Sequence, residues 1–182
     1  MGFGYSTDLS TILTLAKTAL TSSPFVVPYN VGEGMSGPFD ASQVIVTLAR
    51  DEDIEKFFHK DTQIVIRPAS FPIDQTEVAG GGNYSLAVRG TLSLSYYARL
   101  WTTTQTYDLA KLNDASFGVL ANWKAILNLF SMWTPLETGS GDCYLIQPAR
   151  FLSFDVVPNR TAKPGWTRLD STLSVPFKHA LS

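Results

Sequence analysis

The chain has 182 residues, 45% of them hydrophobic and only 16% charged, with a net charge of -2. That is enough apolar material for one globular domain with its own core, and too little positive charge for a dedicated nucleic-acid binder, which presents a basic face or stripe. A charged share below the usual quarter, beside four Trp, seven Tyr and eleven Phe, also suits a surface that partly faces other subunits, where charge is depleted and aromatics are enriched.

The N-terminal "MGFGYSTDLS" has no basic region followed by an apolar run, and no stretch approaches the roughly 18 apolar residues of a membrane span. An intracellular protein without a membrane partner is therefore expected. Residues 8–22 place Leu9, Ile12, Leu13, Ala16, Ala19 and Leu20 at helical spacing, with Ser6 or Thr7 as N-cap and Pro24 beyond the end. A Gly- and Pro-dense loop follows over 28–39. Residues 42–49 and 62–68 are strand candidates rich in β-branched residues, and the charged 50–61 between them reads as a short surface helix or a turn.

Residues 70–83 read as a long flexible connection, its three consecutive glycines marking mobility or a tight hairpin. The longest element comes next. From Tyr84 to Trp101 every second residue is apolar: Tyr84, Leu86, Val88, Leu92, Leu94, Tyr96, Ala98 and Leu100, with Gly90 among them. The alternate face carries Ser85, Ala87, Arg89, Thr91, Ser93, Ser95, Tyr97, Arg99 and Trp101. A period of two with one apolar side is the signature of a half-buried antiparallel strand, and this one far exceeds the usual five or six residues.

A second helix is expected over 115–133, capped by Asp114 and stopping before Pro135. Phe117, Leu120, Leu127 and Phe130 fall near one face, with Trp123, Ile126 and Trp133 alongside, so the helix should be largely buried. Residues 137–142 form a turn, 143–157 a strand interrupted at Pro148, and 167–177 another alternating strand whose Pro176 suits an edge or strand end. The sum is a single α+β domain over 1–182: a mainly antiparallel sheet with a long β-hairpin, two helices packed on one face, and extended loops at about 28–41 and 68–83.

Chemistry is sparse. His59 and His179 have no partners at metal-ligand spacing, and Cys143, the lone cysteine, excludes an internal disulfide or a Cys-based metal site. The "GGGN" at 80–83 lacks a following Lys-Ser/Thr, and Ser140 sits outside a nucleophile elbow. The acidic "DEDIE" at 51–55 lacks the ladder of a calcium loop and reads as a solvated turn. Asn159 opens a glycosylation triplet that matters only in a secreted protein. Hence no catalytic residue, cofactor or metal is expected. The second face of the long strand is more suggestive, because Arg89, Tyr97, Arg99 and Trp101 have the composition of a protein–protein contact.

The stretch "VRGTLSLSYYARLW…YDLAKLNDASFGVLANWKAIL" (88–127) resembles the tail terminator and neck proteins of long-tailed bacteriophages, through element order and through an "L-x-D-A-S-x-G" type element at Leu112, Asn113, Asp114, Ala115, Ser116, Phe117 and Gly118. The terminal "GWTRLDSTLSVPF" fits as well. The resemblance implies a hexameric ring in the virion neck, assembled in the host cytoplasm, that ends tail-tube polymerisation. Its partners would be further copies of the chain, the tail-tube protein and a head-side connector or stopper, with DNA passing through the lumen without specific binding. The over-long hairpin would bridge protomers, and "YNVGEGMSGPF" and "VAGGGN" would be docking loops that order on partner binding. The large 50–61 and 68–83 segments depart from the family pattern and fit a tail-tube or connector relative as an alternative. A small-ligand-binding α+β domain is the rival from another class.

Overall fold

Alternation in the longest segment produces the longest strand. In a computed structural model describing residues 5–22, 27–30, 35–58, 60–71, 73–79, 83–99, 119–131, 133, 143–145, 150–157 and 165–181, the strand spans Asn83–Arg99. It pairs along its whole length, antiparallel, with Trp166–Leu181, from Tyr84 opposite Leu181 to Arg99 opposite Trp166. At about 3.4 Å per residue this two-strand ribbon is roughly 50 Å long.

Numbered in chain order, the sheet strands are β3 (Val44–Val46), β4 (Thr62–Ser70), β5 (Ile73–Ala79), β6 (Asn83–Arg99), β7 (Cys143–Leu145), β8 (Arg150–Val157) and β9 (Trp166–Leu181). β1 (Val27–Asn30) and β2 (Met35–Gly37) form a separate antiparallel pair inside the expected 28–39 loop. The main sheet runs β3-β4-β6-β9-β7, with β5 also on β6 and β8 also on β9. Each central strand thus has two shorter strands in tandem along its outer side. On β6 the change of neighbour falls between Thr91, opposite Ser70, and Val88, opposite Ile73. On β9 it falls between Ser174, opposite Arg150, and Phe177, opposite Leu145. Residues 146–149, between β7 and β8, lie outside the described residues.

The expected flexible connection at 70–83 is mostly strand: β5 pairs with β6 up to Ala79 opposite Asn83, and 80–82 lie outside the described residues. The expected 42–49 strand shrinks to β3. Asp40 instead starts a 3₁₀ turn over Ala41–Gln43, its carboxylate accepting from the Ser42 N–H at 2.9 Å while Gln43 Oε1 accepts from the Asp40 N–H at 2.8 Å. β3 pairs parallel with β4, so the sheet is mixed, though mainly antiparallel. Pro176 is not at a strand end; it lies inside β9, opposite Arg89, at the level where the outer neighbour changes from β8 to β7 and no described strand pairs on that side.

Both long helices lie on the even-numbered face of β6. Helix α1 (Tyr5–Thr21) begins ahead of the expected Ser6 or Thr7 cap and buries Ile12, Ala16 and Leu20, one turn apart. The next long helix, α3 (Val119–Phe130), buries Val119, Trp123, Ile126 and Phe130. These join Val88, Leu92, Leu94, Tyr96 and Ala98 of β6 with Leu169, Leu173 and Val175 of β9 in one apolar cluster. Full burial of each such side chain contributes about 1.5–3 kcal/mol. α3 is less fully buried than expected: Leu120 and Lys124 are exposed, while Asn122 is buried, its amide donating to the Tyr96 hydroxyl at 3.3 Å. Burial, only partly offset by that bond, raises the Tyr96 pKa. The Tyr96 ring stacks on Trp123, centroids 6.0 Å apart. No described helix is long and apolar enough to cross a membrane.

Candidate functional site

The four residues expected at a subunit contact do not share a common fate. Arg89 is exposed, beside Pro176 across the ribbon. Arg99 is half exposed, its Nη1 3.5 Å from Asp61 Oδ1, and its N–H donates to the Asp61 carbonyl at 2.8 Å. Ten residues of extended strand separate the two, about 33 Å, so they cannot form one contact cluster. Trp101 lies outside the described residues. Tyr97 is a correction: its side chain is fully buried within its own chain and offers no surface to a second copy.

What buries Tyr97 is the charged 50–61 segment. The short helix α2 (Asp51–Ile54) and the 3₁₀ turn Glu55–Phe57 form the crossover between the parallel strands β3 and β4. Ile54 and Phe58 from this crossover meet Val65, Tyr97 and Trp166 in a second apolar cluster on the odd-numbered face of β6. Phe58 sits edge-on to Tyr97, centroids 4.9 Å apart, and tilted on Trp166 at 5.3 Å. The segment is a lid with an apolar underside.

A charge network pins the start of that lid. Register puts Arg67 of β4, Tyr97 of β6 and Arg168 and Asp170 of β9 on the same face, with Tyr97 directly opposite Arg168. Asp51 drops a carboxylate among them. Its Oδ1 accepts from Arg67 Nη2 at 2.5 Å and from the Tyr97 hydroxyl at 3.2 Å, and its Oδ2 accepts from Arg168 Nη1. Arg168 Nε donates to Asp170 Oδ1 at 2.6 Å, and its guanidinium carbon lies 5.4 Å from the Tyr97 ring centroid. Charge-assisted bonds of this kind are the stronger ones, and planar guanidinium is suited to bridging two carboxylates.

Electrostatics follow the geometry. Burial pushes the Asp51 pKa up, but the hydrogen bond and charge of Arg168, with Arg67 and Tyr97, outweigh it and hold the carboxyl below its ordinary value of 3.8. For Arg168, burial disfavours the charge, yet Asp170, Tyr97 and Asp51 more than compensate and its pKa rises. Tyr97 is raised mainly by burial. Asp51, Tyr97 and Arg168 are thus each fixed in one protonation state near neutrality. That suits a structural clamp and not proton transfer, which needs a group poised near the working pH.

Among the described residues no three His, Cys, Asp or Glu side chains gather as metal ligands. Ser140, Asn159, Asp114, His59 and the Leu112–Gly118 element lie outside the described residues. His179 falls in β9, its backbone between Leu86 and Cys143. Large apolar side chains do stand in solvent: Leu48 at 82% exposure, Phe57 at 66%, Leu152 at 56% and Leu120 at 41%. No protein-family model matches the chain, and no curated protein is significantly similar to it.

Proposed function

We propose that the chain is a structural protein, not an enzyme, that assembles with copies of itself into a ring at the neck of a long-tailed bacteriophage. There it ends tail-tube polymerisation and meets a head-side connector, with the duplex passing through the lumen unbound. The observation that supports assembly is the β6–β9 ribbon. Its ladder runs from Arg99 opposite Trp166 to Tyr84 opposite Leu181, far longer than the usual strand of five or six residues. β5 and β7 flank its Tyr84 end, so the sheet there is four strands wide. The phage setting is supported by the resemblance at 88–127.

Closed cyclic symmetry would use two different surfaces on each protomer and leave none unsatisfied. Arg89 and Arg99, both exposed and well apart along β6, stay contact candidates, as does Trp101, which lies outside the described residues. Light scattering on purified protein across a concentration series, with negative-stain imaging of the same samples, tests the reading. A discrete ring, weakened by Arg89→Glu, is the expected result. Long tubes would move the assignment to a tail-tube relative, and a monomer at every concentration would overturn self-assembly.

A further inference from the structure

The cations of the Asp51 clamp stand on the sheet, and its anion stands on the crossover above. Arg67 belongs to β4 and Arg168 to β9, the strands on either side of β6. Their side chains are 16% and 13% exposed, against 36% for Asp51. Arg168 is positioned without Asp51: its Nε donates to Asp170 Oδ1, and its guanidinium lies by the Tyr97 ring. Arg67 has a second hold as well, its Nε donating to the Ala49 carbonyl at 3.3 Å. Donors fixed in advance by other partners lose little freedom on binding. Asp51, by contrast, opens a four-residue helix that is reached from β3 through the exposed residues 48–50. Arg67 and Arg168 are balanced by Asp51 and Asp170. Without Asp51 one mostly buried positive charge is left over, and that is costly unless another anion takes the place.

The donors also suit a carboxylate, which has two oxygens and room for about four hydrogen bonds. Asp51 fills three: Arg67 and Tyr97 on Oδ1, and Arg168 on Oδ2. A fourth donor is unused. Ser95 is fully buried, and its hydroxyl has no hydrogen-bond partner among the described residues. Buried hydroxyls are normally paired, so this one needs a reason. Ser95 lies on the clamp's face of β6, between Tyr97, which faces Arg168, and Ser93, which faces Arg67. The spare donor thus stands between the levels of the two guanidinium groups.

We propose that Arg67, Tyr97, Arg168 and Ser95 form a carboxylate-binding site, filled in this chain by Asp51 as a tethered ligand whose place a free carboxylate can take. The crossover is then a strap over a preformed receptor. The Ser95 hydroxyl is the contact that an untethered ligand gains by settling deeper. Neither ring assembly nor a second copy of the chain is needed for it.

Asp51→Ala in the full chain empties the site and keeps its donors. Sodium acetate is titrated against sodium chloride at matched ionic strength, with the arginine Nε–H resonances followed by NMR. Those of Arg67 and Arg168 should shift saturably with acetate and not with chloride, while those of Arg89 and Arg99 stay in place. The unfolding constant of the variant should fall roughly tenfold once acetate reaches about ten times its dissociation constant. Adding Ser95→Ala should weaken acetate several-fold. Wild type should show no such shifts over the same range, because its tethered carboxylate holds the site. If Asp51→Ala is unfolded without acetate, cooperative melting regained in acetate and not in chloride gives the same support. Equal responses to acetate and chloride, or equal shifts in wild type, would overturn the proposal. An acetate affinity indifferent to Ser95→Ala would overturn the place of Ser95 in it.

Discussion

The two faces of β6 are covered by opposite means. On the even-numbered face, two long helices bury aliphatic and aromatic side chains in one large cluster. On the odd-numbered face, over residues 95–99, a crossover of a few residues lays Ile54 and Phe58 on Val65, Tyr97 and Trp166, and is held by Asp51 between Arg67 and Arg168. The first face is stabilised by area and needs no single partner. The second has little area and depends on charges placed by register. A short, highly charged segment can therefore be a covering element, provided the strands beneath it present the counter-charges.

Substitutions should separate the two modes. The largest loss is expected from Phe130→Ala in the helix-covered cluster, about 3–5 kcal/mol in urea unfolding, because the ring is fully buried and contacts Trp133 and Phe151 edge-on. Asp51→Asn should cost less, about 1–2 kcal/mol, since it leaves two mostly buried guanidinium groups short of an anion while the carboxylate itself is 36% exposed. Its signature should be local: faster amide exchange across 51–58 with α1 and α3 unchanged.

Acid supplies the next test. The folded Asp51 pKa is depressed, so its contribution is complete above the unfolded value of 3.8 and is lost as pH falls through the lower folded value. The melting temperature of wild type should therefore drop more steeply below about pH 4 than that of Asp51→Asn, and the two curves should converge. Parallel curves would show that Asp51 is not the group that titrates. The smallest effect is expected from Lys56→Ala. Its 3.3 Å pair with Asp53 is solvent-exposed on both sides, and the change should fall within about 0.5 kcal/mol of wild type.

Alternation reveals which residues of a strand share a face, and it located β6, β9 and the even-numbered face that receives the helices. It does not reveal what covers the other face. Tyr96 and Tyr97 point to opposite sides and both are buried; two consecutive large aromatics in a strand are the sign of cover on both sides, and that sign was legible. The clamp was harder to read. Arg67 lies between Ile66 and Pro68, and Arg168 and Asp170 are two apart in a strand, so each is locally an ordinary polar residue. Only register brings them to Asp51, across 16 and 117 residues of sequence. The β5 strand was obscured by weak alternation in "IDQTEVA" before three glycines, and the parallel β3 by its brevity.

Gly90 marks the level where the flanking strands of both central strands change over. A Cβ there would meet the Phe71 ring and the Val175 carbonyl oxygen, each at 2.8 Å. The ring of a residue between β4 and β5 thus fills the volume a side chain of β6 would have used. Among the described residues, the sheet at this height is carried by the backbones of β6 and β9 alone, with wider sheet on either side. Among the described residues the hydrogen-bonded width of the sheet is therefore least at 89–90 and 175–176, and a single aromatic ring from the β4–β5 connection closes over the backbone there.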